Sequence, residues 1–65
     1  MIRVLGRETI ILELQTPETV ESVMKAHGLS EERYICIRGG QPLTADEIIL
    51  PDDDVQVLEI FSGGM

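Results

Sequence analysis

The sequence predicts an α+β fold in which one helix packs across a mixed sheet of four to five strands. Short stretches that alternate apolar and polar residues, typical of strands, stand before and after one stretch with the period of a helix. Strands on both sides of a single helix form two layers, the sheet and the helix. We expect the first and last strands to lie side by side and parallel at the centre of the sheet.

The first two strands are predicted to form a hairpin. The stretch MIRVLG alternates around Ile2 and Val4, and the stretch TIILEL places Ile10, Leu12 and Leu14 on one face. The dipeptide RE between them reverses the chain.

The helix is predicted within QTPETVESVMKAHG, where four residues at the spacing i, i+3, i+4 and i+7 form one face: Val20, Val23, Met24 and His27. Thr16 and Thr19 can both cap its start, and we prefer Thr19 because it directly precedes the first apolar residue. Gly28 suits the left-handed conformation that ends a helix. His27 has no candidate nucleophile as a partner, so we interpret it as a capping or half-buried residue.

The second half of the chain alternates again in YICIR, which predicts Ile35 and Ile37 inward and Tyr34, Cys36 and Arg38 outward. The glycines at positions 39 and 40 predict a two-residue hairpin turn, and the proline in QPL predicts an edge strand. The last strand is VQVLEIF. The predicted core comprises thirteen residues: Ile2, Val4, Ile10, Leu12, Val20, Val23, Met24, Leu29, Ile35, Ile37, Leu50, Val55 and Val57.

Composition excludes several classes of function. The net charge is −7, with twelve acidic and five basic residues, which argues against binding to nucleic acid or to anionic membranes. It favours either a basic protein partner or solubility alone. No stretch approaches the ~20 apolar residues of a membrane span, and the N-terminus does not resemble a signal peptide. We therefore expect a cytoplasmic protein.

No pattern predicts catalysis, a metal or another cofactor. The phosphate-binding loop, the zinc-peptidase motif and the catalytic triad are absent, so we expect a protein that is not an enzyme. The run PDDD could attract a divalent cation, but its spacing favours a solvated turn. The single cysteine, Cys36, cannot form an internal disulfide, and we expect a structural role for it on the outer face of the sheet.

The chain ends in FSGGM, where Gly63 and Gly64 precede a single Met65. Glycines without a Cβ can pass through a narrow channel and adopt any φ angle, so this tail could deliver a carboxylate into the active site of another enzyme. The alternative is a frayed terminus.

The closing segment DDVQVLEIFSGGM resembles the end of the ThiS and MoaD sulfur carriers of thiamin and molybdenum-cofactor biosynthesis, and of the archaeal ubiquitin-like modifiers. The stretches MIRVLGRE, TVESVMKAHGL and YICIRGGQPL agree with the first strand, helix and second hairpin of that family. The resemblance implies a ubiquitin-like β-grasp fold, with a single domain over residues 1–61 and a flexible diglycine tail over residues 62–65.

The resemblance also implies a function without catalysis. In the family, an ATP-dependent activating enzyme adenylates the terminal glycine, which then takes sulfur as a thiocarboxylate or joins a lysine of a target protein. The reacting carboxyl would be that of Gly64, with Gly63 giving access. Met65 departs from the pattern, and some relatives lose such an extension to a peptidase of the JAMM type. We expect a sulfur carrier with these partners and a sulfur donor or target proteins; the alternatives are a protein modifier and a plain binding module.

The partner contact is predicted on the outer face of the sheet, since side chains alternate along the last strand and cannot all point inward. Clustered exposed apolar residues often mark an interface. The predicted contact residues are Leu58, Ile60, Phe61, Cys36 and Tyr34.

Overall fold

The computed structural model describes residues 1–6 and 8–60. It contains eight elements in the order strand β1 (Ile2–Leu5), β2 (Ile10–Leu12), β3 (Glu18–Thr19), helix α1 (Val20–Ala26), β4 (Tyr34–Arg38), β5 (Gln41–Pro42), β6 (Ile48–Ile49) and β7 (Val55–Glu59). The predicted tail over residues 62–65, and Phe61 before it, lie outside the described residues.

Five strands form one mixed sheet in the order β2-β1-β7-β4-β5. The first and last strands, β1 and β7, are parallel neighbours at its centre, and the other pairs in the sheet are antiparallel. The predicted α+β architecture with a central parallel pair is therefore confirmed, and it is that of a ubiquitin-like β-grasp fold.

Helix α1 begins where the sequence predicts. The Thr19 side chain accepts a hydrogen bond of 3.1 Å from the backbone N–H of Ser22, which confirms Thr19 as the N-cap. After the helix, Gly28 adopts a φ of 68°, a left-handed conformation that glycine tolerates without strain. His27 is the C-cap, as one of its two predicted roles required.

A second, two-stranded sheet supports the start of the helix. Strand β3 pairs with β6, which sets Glu18 opposite Ile49 and Thr19 opposite Ile48. The first helical N–H groups, on Val20 and Glu21, then donate to carbonyl groups of the chain segment before β6. Strands β3 and β6 were not predicted from the sequence, because a strand of two residues has too little alternation to detect.

The core lies between helix α1 and the sheet. Its buried side chains are Ile2, Val4, Val20, Val23, Met24, Cys36, Ile49, Val55 and Val57. Leu12 and Leu29, also predicted for the core, are partly buried against this cluster. Seven of the thirteen predicted core residues are thus buried and two more border the core.

The predicted orientation of β4 is wrong. Cys36 lies directly opposite Val57 on the neighbouring strand, and residues opposite each other point to the same side of a sheet. Since Val57 points toward the helix, Cys36 does too, and both are 2% exposed or less. Ile35 and Ile37 therefore point to the face that has no helix. The stretch YICIR is apolar on both faces, so its alternation alone could not decide between them.

Two other predicted core residues are exposed. Ile10 is 53% exposed because it lies on the edge strand β2, beyond the reach of the helix. Leu50 is 49% exposed, whereas its neighbour Ile49 is fully buried. The pairing of β6 with β3 turns Ile49 inward, and the alternation of side chains then turns Leu50 outward.

The second hairpin matches its prediction. Gly39 and Gly40 have φ angles of 62° and 80°, the left-handed conformations that a two-residue turn between β4 and β5 requires.

Among the described residues, no helix is long and apolar enough to cross a membrane. Within the same part of the chain, no group of three acidic, histidine or cysteine side chains is placed to hold a metal ion.

Candidate functional site

The fold positions the start of the C-terminal tail. Strand β7 is the central strand of the sheet and ends at Glu59, and the backbone N–H of Ile60 then donates a 2.6 Å hydrogen bond to the carbonyl of Arg33. This bond joins the chain beyond β7 to the turn before β4. Gly63, Gly64 and Met65 follow from this anchored point, but they lie outside the described residues, so their predicted roles stay predictions.

The face of the sheet without a helix carries an apolar row next to this point. Leu5, Leu58 and Ile35 lie opposite one another on β1, β7 and β4. All three are half-buried although the helix lies on the other side. We call these three residues the apolar row. They offer adjacent aliphatic side chains on the three central strands, at the end of the sheet where the tail begins.

A second row of the same face is mixed in character. It runs across all five strands as Ile11, Arg3, Gln56, Ile37 and Pro42. The guanidinium of Arg3 lies 3.3 Å from a carboxylate oxygen of Asp54, and the exposed side chains make this a weak surface pair. The apolar surface of this face is thus bordered by a cation and a carboxylate away from the tail.

The predicted contact residues do not all lie on this face. Leu58 does, as predicted. Cys36 points into the core, and Tyr34, two residues earlier on β4, packs against the core on the helix side. Their assignment to the outer face is therefore wrong, and it fails for the same reason as the inward assignment of Ile35. Ile60 is 44% exposed, just beyond the end of β7.

An open groove connects the helix side of the sheet to the apolar row. It is lined by Leu5, Gly6, Leu29, Tyr34 and Leu58, among others. Leu29 reaches this position because the chain turns back after helix α1, with its backbone N–H bonded to the carbonyl of Met24 at 2.8 Å. Tyr34 therefore lies near the C-terminal end of β7 because it lines this groove, and not because it lies on the helix-free face.

Cys36 is not a reactive thiol in this fold. Burial raises the pKa of its thiol above the ordinary value, and the negative charge of Glu31 raises it further. Its Sγ donates to Met24 Sδ at 3.7 Å inside the core. Because the thiolate is the nucleophilic form, a buried thiol with a raised pKa is poorly suited to accept or carry sulfur. A structural role, as predicted, fits the position of Cys36 in the core, but the cysteine lies on the helix side of the sheet and not on the predicted outer face.

Arg38 lies in a cluster of polar contacts that was not predicted from the sequence. Its Nη1 donates to Asp53 Oδ2 at 2.8 Å and to the carbonyl of Ile48 at 3.0 Å, while Asp53 also accepts from the backbone N–H of Leu50 at 2.9 Å. The hydrogen bond from Leu50 is the main cause that lowers the pKa of the Asp53 carboxyl, with Arg38 adding to it. The run PDDD thus forms a turn, as predicted, but the bonds of its Asp53 to Arg38 and to the Leu50 N–H were not predicted.

A neighbouring acidic turn is built in a similar way. The Thr44 hydroxyl donates to Asp46 at 2.7 Å, and its backbone N–H donates to Glu47 at 2.8 Å. The hydrogen bond from Thr44 lowers the pKa of the Asp46 carboxyl. The carboxylates of Asp46 and Glu47 therefore stabilise the turn between β5 and β6.

Comparison with known proteins agrees with this geometry. A search of the curated proteins finds no significant match. The family model described as small archaeal modifier protein 2 matches residues 1–61. The central parallel strands β1 and β7 and helix α1 fall within this match. The chain therefore belongs to the small archaeal modifier protein 2 family of ubiquitin-like modifiers.

Proposed function

We propose that this protein is activated at the carboxyl group of Gly64 after Met65 has been removed, and that the activated carboxyl modifies proteins or carries sulfur. The family match over residues 1–61 is the observation that carries the proposal, because it assigns the chain to a family of protein modifiers, and the diglycine follows the match after Ser62. The anchoring of Ile60 supports it, since the glycines then follow from a defined point at the end of the sheet.

The first step is hydrolysis of the peptide bond between Gly64 and Met65. Because Met65 follows Gly64, the Gly64 carboxyl is held in a peptide bond. A peptidase of the JAMM type would release methionine and expose the Gly64 carboxylate. The two glycines lack a Cβ, which allows a narrow active site to close around them.

The second step is adenylation. The Gly64 carboxylate attacks the α-phosphorus of ATP, pyrophosphate leaves, and a mixed anhydride with AMP forms. A free carboxylate is a poor acyl donor because oxide is a poor leaving group, whereas AMP leaves readily. In this proposal the activating enzyme supplies the catalytic groups.

The adenylate has two fates. Attack by an unprotonated lysine amine displaces AMP and gives an isopeptide bond, which is the modifier function that the family favours. Attack by the persulfide of a sulfur donor gives an acyl disulfide, and a thiol then reduces it to a C-terminal thiocarboxylate. The buried Cys36 cannot supply that thiol, so the reductant is a separate molecule.

The apolar row and the surface around it bind the activating enzyme in this proposal. A row of Leu5, Leu58 and Ile35 without a covering helix fits an aliphatic partner surface, and it lies beside the start of the tail. Docking there would direct the tail toward the nucleotide of the enzyme.

Pyrophosphate exchange tests the activation. A chain that stops after Gly64 should support ATP-dependent exchange with the adenylating enzyme of its own genome, while the chain with Met65 should not unless the peptidase is added. Gly64→Ala in the trimmed chain should reduce exchange sharply. Equal exchange by the Met65 chain without a peptidase would show that the extension needs no removal, and no exchange by the trimmed chain would refute the proposal.

Matched glutamate substitutions test the docking surface. Leu58→Glu places a charge in the apolar row and should weaken binding to the activating enzyme at least about tenfold, which corresponds to 1.4 kcal/mol. Ile48→Glu is the control, because Ile48 is 48% exposed on the small second sheet. Binding by titration calorimetry that is equal for the two variants would contradict the assigned surface.

A further inference from the structure

The two edges of the central sheet differ. One edge is strand β5, and the N–H of Leu43 directly after it donates to the carbonyl of Cys36 at 2.8 Å. Because the backbone groups of successive residues alternate in direction along a strand, the nitrogen of Pro42 faces outward, and proline has no N–H to offer. The other edge, β2, contains no proline. The edge of β5 is thus blocked at Pro42, and that of β2 is not.

The hydrogen bonds of β1 show how its backbone is turned. The N–H of Val55 on β7 donates to the carbonyl of Met1 at 2.9 Å. In a parallel pair every second residue of a strand bonds to the same neighbour, so Arg3 follows Met1 and turns its backbone groups to β7. The alternate residues of this strand, Ile2 and Val4, therefore turn their backbone groups to β2.

The same alternation fixes the backbone of β2. Leu12 lies opposite Ile2, and Ile10 lies opposite Val4, so these two pairs exchange the hydrogen bonds between the strands. Ile11 lies between them, and its N–H and C=O consequently point away from the sheet. Strand β2 therefore offers a donor and an acceptor in the position where a further strand would bond.

The side chains of β2 offer an aliphatic surface on both sides of this backbone. Ile11 is 54% exposed and lies on the helix-free face, opposite Arg3. Ile10 is also more than half exposed, and it lies on the helix side, where it lines the open groove with Leu29 and Tyr34. An added strand alternates its side chains in the same way, so its aliphatic residues would contact Ile11 on one face and Ile10 on the other.

Carboxylates surround this edge. Glu8 lies just before β2 and Glu13 follows it directly, and both are exposed. Glu8 and Glu59 also line the open groove beside Ile10. Between positions 6 and 14 the one basic residue is Arg7, which lies outside the described residues. With a net charge of −7, the chain attracts a basic strand to this edge and repels a second copy of itself.

We propose that β2 binds an extended segment of a basic partner protein as a sixth strand of the central sheet. The segment has aliphatic residues in its middle and lysine or arginine at its ends. Its backbone bonds to the N–H and C=O of Ile11, and its aliphatic side chains contact Ile10 and Ile11. Its cations lie near Glu8 and Glu13. The apolar row lies on β1, β7 and β4, so a molecule docked there keeps β2 free, and this binding does not depend on the activation of Gly64.

A synthetic peptide tests the proposal on the full chain. The probe is a short peptide with blocked ends, in which alternating valine and isoleucine residues lie between two pairs of lysines. The control peptide has glutamates in place of the lysines. In titrations of the isotope-labelled protein followed by NMR, the lysine peptide should shift the amide signal of Ile11 and slow its hydrogen exchange. It should bind at least about tenfold tighter than the glutamate peptide, because like charges oppose the control.

Substitutions at Ile11 separate strand pairing from general attraction. Ile11→Pro removes the outward N–H and leaves the bonds of Ile10 and Leu12 to β1 in place, so the protein should fold and lose affinity for the lysine peptide at least about tenfold. Ile11→Lys keeps the N–H, sets a like charge against the peptide and should also weaken binding. Ile48→Lys is the matched control and should bind like the parent, because it makes the same charge change at a 48% exposed side chain of the second sheet. If Ile11→Pro does not fold, the two lysine variants still decide.

Several results would overturn the inference. Equal binding of the lysine peptide by Ile11→Lys and Ile48→Lys would show that β2 does not pair with it, and equal binding of the two peptides by the parent would contradict the basic partner. Shifts confined to Leu5 and Leu58 would place the peptide on the apolar row. A concentration-dependent dimer in sedimentation, lost in Ile11→Lys, would assign β2 to a second copy instead. Absence of any shift with the lysine peptide would leave β2 without the proposed function.

Discussion

Both faces of the central sheet carry apolar residues, but they differ in how deeply these residues are buried. On β7, Val57 points toward helix α1 and is 1% exposed, while its neighbour Leu58 points to the helix-free side and is only half-buried. On β4 the same contrast separates Cys36 from Ile35. The difference shows that burial depends on which face the helix covers, and not on the hydrophobicity of the residue. An aliphatic face left uncovered is then available for a partner.

The sharpest test of this contrast compares neighbouring residues on β7. Val57→Glu should unfold the protein, because an unpaired carboxylate in the core costs more than the few kcal/mol of net stability that a domain of this size has. Leu58→Glu should remain folded and lose about 1–2 kcal/mol, since its side chain can reach solvent. Circular dichroism and urea denaturation measure both effects. Equal losses in the two variants would mean that the faces do not differ as described.

A second pair tests the correction at β6. Ile49→Ala should lower the free energy of unfolding by about 2–5 kcal/mol, because it removes a fully buried side chain and leaves a cavity. Leu50→Ala should cost less than about 1 kcal/mol, since half of that side chain is exposed. Denaturation midpoints of the two variants give the comparison. A larger effect at Leu50 would restore the original sequence prediction.

Helix α1 can be destabilised at its N-cap without substituting a residue of either face of the central sheet. Thr19→Ala removes the oxygen that accepts from the Ser22 N–H and should cost about 1 kcal/mol. Thr16→Ala is the control, and its effect should stay within about 0.5 kcal/mol because its side chain is exposed. Thermal unfolding of the two variants distinguishes the caps. Similar melting temperatures would show that Thr19 does not hold the start of the helix.

The last and smallest effect concerns the rim of the helix-covered face, where Arg38 meets Asp53. The pKa of Asp53 is lowered in the folded protein, by the Leu50 N–H first and by Arg38 in addition. A carboxyl with a lowered folded pKa contributes stability that is present above its unfolded pKa of about 3.9, and this contribution is lost as the pH falls through the folded value. Stability should therefore decrease in acid partly through Asp53.

Asp53→Asn should remove that part of the pH dependence, so that the variant and the parent converge in stability as the pH falls below about 4. The exposed neighbour Asp52→Asn is the matched control and should follow the parent curve. Melting temperatures from pH 7 to pH 2 measure the difference. A constant gap between Asp53→Asn and the parent over this range would contradict the assigned role.

The order of elements follows from the sequence because its signals are local. The spacing of Val20, Val23 and Met24, the cap at Thr19 and the two glycines of the β4–β5 turn depend on neighbours within a few positions, and the structure confirms all of them. His27, the fourth residue of the predicted helix face, is instead exposed at the C-cap. The diglycine of the proposed function is also visible in the sequence, and it lies beyond the described residues and beyond the family match over residues 1–61.

Only the tertiary structure decided which residues of β4 and β6 are inside. YICIR presents apolar side chains on both faces, and a shift of one residue in pairing exchanges the faces without changing the pattern. The register that sets Cys36 opposite Val57, and the pairing that turns Ile49 inward, join residues far apart in the chain. The hydrogen bond between Arg38 and Asp53 likewise joins strand β4 to the turn before β7, so no local sequence pattern predicts it. Local sequence specifies that a strand has two faces, and the contacts between distant strands specify which of them the helix covers.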